Sequence, residues 1–141
     1  MKGCYVLLMN LDSKMTIQFG KNHSDEFQAG WYAYVGSAMN GLLPRVERHL
    51  RKSKNIYWHI DYFLNYAIIS KVYFLESTRP MECSIATQFA SLCSRIPYFG
   101  SSDCHCKSHL FYGSKSELEY ILNSLEMKEF QKQTLKKSSV L

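Results

Sequence analysis

Hydrophobic and polar positions follow two different periods along this chain. Residues 3 to 11, GCYVLLMNL, are apolar enough for a buried strand. Asp12-Ser13-Lys14 has turn chemistry. Residues 15 to 20, MTIQFG, then alternate Met15, Ile17 and Phe19 against Thr16 and Gln18, which predicts a hairpin with one covered face. Residues 22 to 30 are polar and predict a loop. Residues 31 to 37, WYAYVGS, predict a third strand, with Tyr32 and Tyr34 on one face and Trp31, Ala33 and Val35 on the other.

After Gly36-Ser37 the period lengthens. A helix is predicted over residues 41 to 52, capped by Asn40 and with Pro44 in its first turn. Leu43, Val46 and Leu50 make its apolar stripe, and Arg45, Arg48 and Lys52 make a second stripe flanked by His49 and Arg51. A second helix over 57 to 66 contains WHIDY, and residues 68 to 75 predict a strand. Pro80 opens a third helix over 81 to 94, with Ile85, Phe89 and Leu92 inward. Residues 97 to 108 are a Gly/Ser/Cys-rich loop, and HLFYG, 109 to 113, is a short strand. Ser116 with Glu119 has the spacing of a capping box opening a last helix that carries Leu118, Ile121, Leu122 and Leu125. Lys128, Lys132, Lys136 and Lys137 with few apolar anchors predict a frayed basic tail over 128 to 141, after one domain over 1 to 127.

The expected fold is α/β, or α+β in the looser usage: a small, mainly antiparallel sheet flanked by helices. A chain of 141 residues forms one such domain and buries a core without disulfides. No segment has the length of a membrane span, so no membrane partner is expected. Five cysteines, an odd count, with no secretory signal predict reduced thiols in the cytoplasm. A net charge of +5 gives weak support to a polyanionic partner, and ten tyrosines suit base stacking as well as core filling.

Four groups of residues carry candidate chemistry. Arg45, Arg48, His49, Arg51, Lys52 and Lys54 make either a phosphate-backbone contact surface or a solvated helix face. Glu82, at a helix start, either holds Mg²⁺ or Mn²⁺ beside an arginine or favours the helix N-terminus. Cys104, Cys106 and His109, within DCHCKSH, are candidate Zn²⁺ ligands at an unusual spacing, with Cys83 or Cys93 needed to complete a site. In WHIDY, His59 is either a general base or a hydrogen-bonded structural residue, and His59 and Asp61 must each touch a different neighbour.

These pieces, in this order, resemble the GIY-YIG nuclease superfamily, and more closely its archaeal and bacterial Uri-type subgroup. Gly3-Cys4-Tyr5 stands for the first motif and Tyr34-Val35-Gly36 for the second. Arg45 stands for the phosphate-binding arginine, Glu82 for the metal-binding glutamate, and Pro97 falls where that helix gives way to the closing loop. The subgroup resemblance spans KGCYVLL, AGWYAYVGSA, RHLR, WHIDY, MECSIA and FGSSDCHCKSHLFY, about residues 2 to 113.

The resemblance implies a metal-dependent endonuclease hydrolysing nucleic-acid phosphodiesters, with DNA the expected partner. It implies Tyr5 and Tyr34 jointly as base and water-orienting groups, Arg45 on the developing charge, and Glu82 holding one divalent ion. Cys4 replaces the usual isoleucine, the gap between the motifs is long, and Ser37 stands where some relatives carry lysine. Two other classes stay open: a non-catalytic nucleic-acid-binding module on the same scaffold, and a zinc-stabilised partner-binding protein.

Overall fold

The computed structural model describes residues 1–100 and 108–131. The first half of the chain runs β1 (Gly3–Leu11), β2 (Met15–Phe19), β3 (His23–Phe27), β4 (Gly30–Ala38), α1 (Leu42–Leu50) and α2 (His59–Phe63). The second half runs β5 (Ile68–Glu76), α3 (Glu82–Leu92), β6 (Ser94–Arg95), β7 (Leu110–Gly113), α4 (Lys115–Ser124) and β8 (Lys128–Glu129). Six strands form one sheet in the order β6-β7-β4-β1-β5-β8, with every neighbour antiparallel. Strands β2 and β3 form a separate ribbon. The fold is the expected α+β domain. No helix among the described residues is long and apolar enough to cross a membrane.

The apolar run of β1 follows from its central position, because a strand covered on both faces has no polar side. Tyr5, Leu7, Met9 and Leu11 point into a core closed by the β2–β3 ribbon, α1 and α2, through residues such as Phe19, Phe27, Val46 and Phe63. Cys4, Val6 and Leu8 point to the opposite side, closed by α3 and α4 through Ile85, Phe89, Leu118 and Ile121. Tyr32 and Tyr34 join the first core and Ala33 and Val35 the second, as the alternation predicts.

Several expectations are corrected. The turn after β1 does not close a hairpin onto β1. β2 pairs instead with β3, inside the segment expected to be a loop. HSDEF exposes three of its five residues, so an uncovered ribbon strand has the polarity of a loop. Helix α1 buries Leu42, Val46 and His49, while Leu50 is exposed, so the stripe is rotated from the expected one. Its N-cap is Gly41, and the Leu42 N–H donates to the Met1 carbonyl at 2.8 Å, with no side-chain cap from Asn40.

Helix α2 spans only five residues, and α3 turns Ala86 inward while Leu92 is exposed. The motif S-x-x-E occurs twice in register, and the earlier copy is used. Ser114 Oγ accepts from the Glu117 N–H at 3.1 Å while Glu117 Oε1 accepts from the Ser114 N–H at 3.2 Å. Order also continues past residue 127. Lys128–Glu129 pairs with β5, and Phe130 packs on Phe74 with ring centroids 4.3 Å apart. Lys132, Lys136 and Lys137 lie outside the described residues.

Candidate active site

A cleft of about 450 Å³ gathers Tyr5, Tyr34, Arg45, His59, Glu82 and His109, with Gly36, Ser37, Tyr57, Trp58 and Gly100 completing its wall. Every residue expected from sequence to be catalytic therefore lines one cavity. They reach it from separate elements: Tyr5 from β1, Tyr34 from β4, Arg45 from α1, His59 from α2 and Glu82 from the first turn of α3.

Register explains the tyrosine pair. Tyr5 stands opposite Gly36 across the β1–β4 ladder, and opposed residues of an antiparallel pair share a face. The missing side chain at Gly36 leaves room for the phenol, which a Cβ there would strike. The Tyr5 and Tyr34 ring centroids are 6.4 Å apart. Both hydroxyls are buried, and burial raises the pKa of each well above the ordinary tyrosine value. Arg45 pulls both back down, while Glu82 adds to the rise.

The Tyr5 hydroxyl lies 2.6 Å from His49 Nε2. His49 is 2 % exposed, and burial lowers its pKa to about 3, so the ring is neutral at pH 7. Its Nδ1 has no hydrogen-bond partner among the described residues. His49, expected with the basic cluster on a phosphate-contact surface or a solvated helix face, is instead the inward partner of Tyr5. The signal was present, since His49 follows Leu42 and Val46 at i+7 and i+3 on the core-facing stripe.

Arg45 Nη1 donates to the Ser37 carbonyl at 3.0 Å, and its guanidinium lies 4.4 Å from the Trp58 ring centroid. Arg48 lies over the same ring at 4.4 Å and forks onto Asp61, with both hydrogen bonds at 2.9 Å. Burial alone would raise the Asp61 pKa, but Arg48 and the N–H groups of Trp58 and Tyr57 outweigh it and lower it below the usual carboxylate range. Lys54 Nζ donates to the carbonyls of Arg48, His49 and Arg51, closing the C-terminal end of α1. Of the expected basic surface, Arg48 and Lys54 are thus used internally, while Arg51 and Lys52 are exposed.

Glu82 Oε2 lies 3.7 Å from His109 Nδ1. The Glu82 side chain is 28 % exposed and that of His109 only 3 %, and burial lowers the His109 pKa. His109, expected as a zinc ligand, therefore stands beside the glutamate of the cleft. Cys104 and Cys106 lie outside the described residues. Cys93 packs toward Gly113 on the α3–α4 side. Among the described residues, no group of three or more His, Cys, Asp or Glu gathers in a way that could hold a metal.

His59 Nδ1 accepts the Gly100 N–H at 2.9 Å, and its ring contacts Phe19 and His23 of the β2–β3 ribbon. The ribbon in the long gap between the two tyrosine motifs thus backs His59, which itself lines the cleft. Cys4 Sγ accepts the Met81 N–H at 3.2 Å, tying the start of α3 to β1 and so positioning Glu82.

The fold and cleft define a small α+β domain with an inward tyrosine–histidine pair facing an arginine and a glutamate. The chain belongs to the family described as "Domain of unknown function DUF123", whose model matches residues 4–130. Comparison with curated proteins and with solved structures gave no match.

Proposed function

We propose that this protein is a metal-dependent endonuclease of the GIY-YIG type that hydrolyses nucleic-acid phosphodiesters, with DNA the expected substrate. The observation that carries the reading is the meeting of Tyr5, bonded to neutral His49, with Arg45 and Glu82 in one cleft.

Glu82 fits a divalent ion of one kind. A single carboxylate suits Mg²⁺ or Mn²⁺, which keep several waters and take further oxygens from a substrate phosphate. What such an ion supplies when bound is Lewis-acid polarisation of a phosphoryl oxygen. His109 beside Glu82 limits the orientations open to its carboxylate.

The protein groups divide the remaining work. With the imidazole proton on Nδ1, His49 Nε2 accepts the Tyr5 hydroxyl proton, which leaves the Tyr5 oxygen able to take one from an attacking water. The water oxygen then bonds to phosphorus as the bond to the leaving oxygen breaks. Burial disfavours both a free phenolate and a free imidazolium, so the proton moves along the pair within the transition state. Tyr34 orients the water from the adjoining strand. Arg45, held by Ser37 and Trp58, meets the charge developing on the phosphate oxygens.

The test is cleavage of end-labelled single-stranded, duplex and branched DNA and RNA with Mg²⁺, with Mn²⁺ and with chelator. Metal-dependent products that disappear in Glu82→Gln support the reading. Salt-sensitive binding equal in both proteins, with no products, overturns it in favour of a binding module.

A further inference from the structure

Tyr57 is 78 % exposed, the highest value among the large apolar and aromatic side chains of the described residues that face solvent. A lone surface tyrosine needs no explanation. Two observations set this one apart. It lines the cleft that holds Arg45 and Glu82. Its backbone is also fixed, because its N–H donates to Asp61 Oδ2 at 2.9 Å, the oxygen that also receives the Trp58 N–H and Arg48. The ring meets Trp58 edge-on, at 5.2 Å between centroids and 89° between planes. Trp58 is itself held by Arg45 and Arg48, so Tyr57 rests on a braced support and leaves most of its own surface to solvent.

We propose that Tyr57 is a nucleobase-stacking platform at the mouth of the cleft, and that the site therefore takes a phosphodiester flanked by an unpaired base. The inference rests on the nuclease reading above. A paired base inside a duplex already has both faces covered by its neighbours. An aromatic plane gains stacking only from a base that is single-stranded, splayed or terminal. The same support orients both parts of a nucleotide. Trp58 holds Arg45 for the phosphate and carries Tyr57 for the base, and the Asp61 carboxylate fixes the two residues through their backbone. Nothing in the ring's own burial requires an aromatic there, so its removal leaves the fold intact.

The experiment uses Glu82→Gln as a background that binds without turnover. The probes are a single-stranded DNA carrying 2-aminopurine and the same sequence as a duplex. The background protein should prefer the single strand and quench its fluorescence by stacking. Adding Tyr57→Ala should weaken single-strand binding about tenfold and restore the fluorescence. Tyr57→Phe should keep both, and duplex binding and the thermal midpoint should not move. Unchanged single-strand affinity and fluorescence in Tyr57→Ala would overturn the platform alone, leaving the nuclease intact. An equal loss on the duplex would overturn the preference for an unpaired base. Absence of binding and cleavage by the wild-type protein would overturn both readings.

Discussion

Gly36 shows what a missing side chain does. Its partner across the ladder is Tyr5, and a Cβ would collide with the far end of that ring and its hydroxyl. Gly36→Ala must push the phenol away from His49. We expect a stability loss of about 2 kcal/mol from the overpacking. Turnover should fall by more than the unfolded fraction explains, because the hydroxyl leaves its proton acceptor. Thermal unfolding with cleavage on the same samples checks this, and an unmoved midpoint would contradict the steric account. The sequence made this glycine visible as part of a motif, but its reason depends on strand register. His49 failed differently. Beside Arg48 and Arg51 it looks like one more surface cation, although its spacing from Leu42 and Val46 puts it on the buried stripe.

Among elements, α1 and α2 act as one unit. Asp61, fully buried at the third position of α2, joins Arg48 of α1 and the N–H groups of Tyr57 and Trp58. Removing it strands a partly buried guanidinium and two amides together. Asp61→Ala should therefore cost about 3 kcal/mol and free Trp58, and with it Arg45. Chemical denaturation measures the first effect, and loss of cleavage at temperatures where the variant is folded measures the second. A loss below about 0.5 kcal/mol, the range of an exposed pair, would show that the network is not structural.

The elements legible from sequence are those whose pattern reflects burial. β1, β4 and β5 carry continuous or alternating apolar residues, and their bounds lie within one or two positions of those the pattern predicts. β3 and β8 are not legible, because pairing with β2 and β5 satisfies their backbone while most of their side chains are polar and exposed, Phe27 alone of β3 being buried. The last helix is legible but its start is ambiguous in the sequence, since two overlapping S-x-x-E motifs carry the same signal.

For the molecule as a whole, the two cores fix how its stability depends on acidity. His49, His59 and His109 are all held below the ordinary histidine value, with burial the largest cause in each case. The unfolded chain therefore binds more protons than the folded one from about pH 6.5 downward, toward about 3 for His49. The stability these neutral rings contribute is complete above about pH 6.5 and is lost as pH falls. Each contributes a slope of at most about 1.4 kcal/mol per pH unit. Asp61 has the same sign at lower pH, where protonating its carboxylate breaks the pair with Arg48. Denaturant midpoints measured between pH 7.5 and 4.5 should fall steadily, with a shallower fall in His49→Asn. A midpoint that rises on acidification would contradict the buried neutral assignment.

Net charge gave less than it promised at this scale. The total of +5 is real, yet two members of the basic cluster, Arg48 and Lys54, are spent on Asp61 and on helix carbonyls. What the sequence carried to the cleft was the ordered set of Tyr5, Tyr34, Arg45 and Glu82. What it could not carry was that His49 meets Tyr5 and His109 meets Glu82, because those pairs are far apart in the chain and are joined only by the fold.

The most direct measurement is single-turnover cleavage of an end-labelled DNA by wild type and Glu82→Gln, at matched Mg²⁺ and with substrate affinity measured alongside. The account predicts wild-type cleavage that chelator abolishes, and a loss of about a hundredfold or more in Glu82→Gln at nearly unchanged affinity. Equal cleavage by the two proteins, or cleavage that persists in chelator, would contradict it.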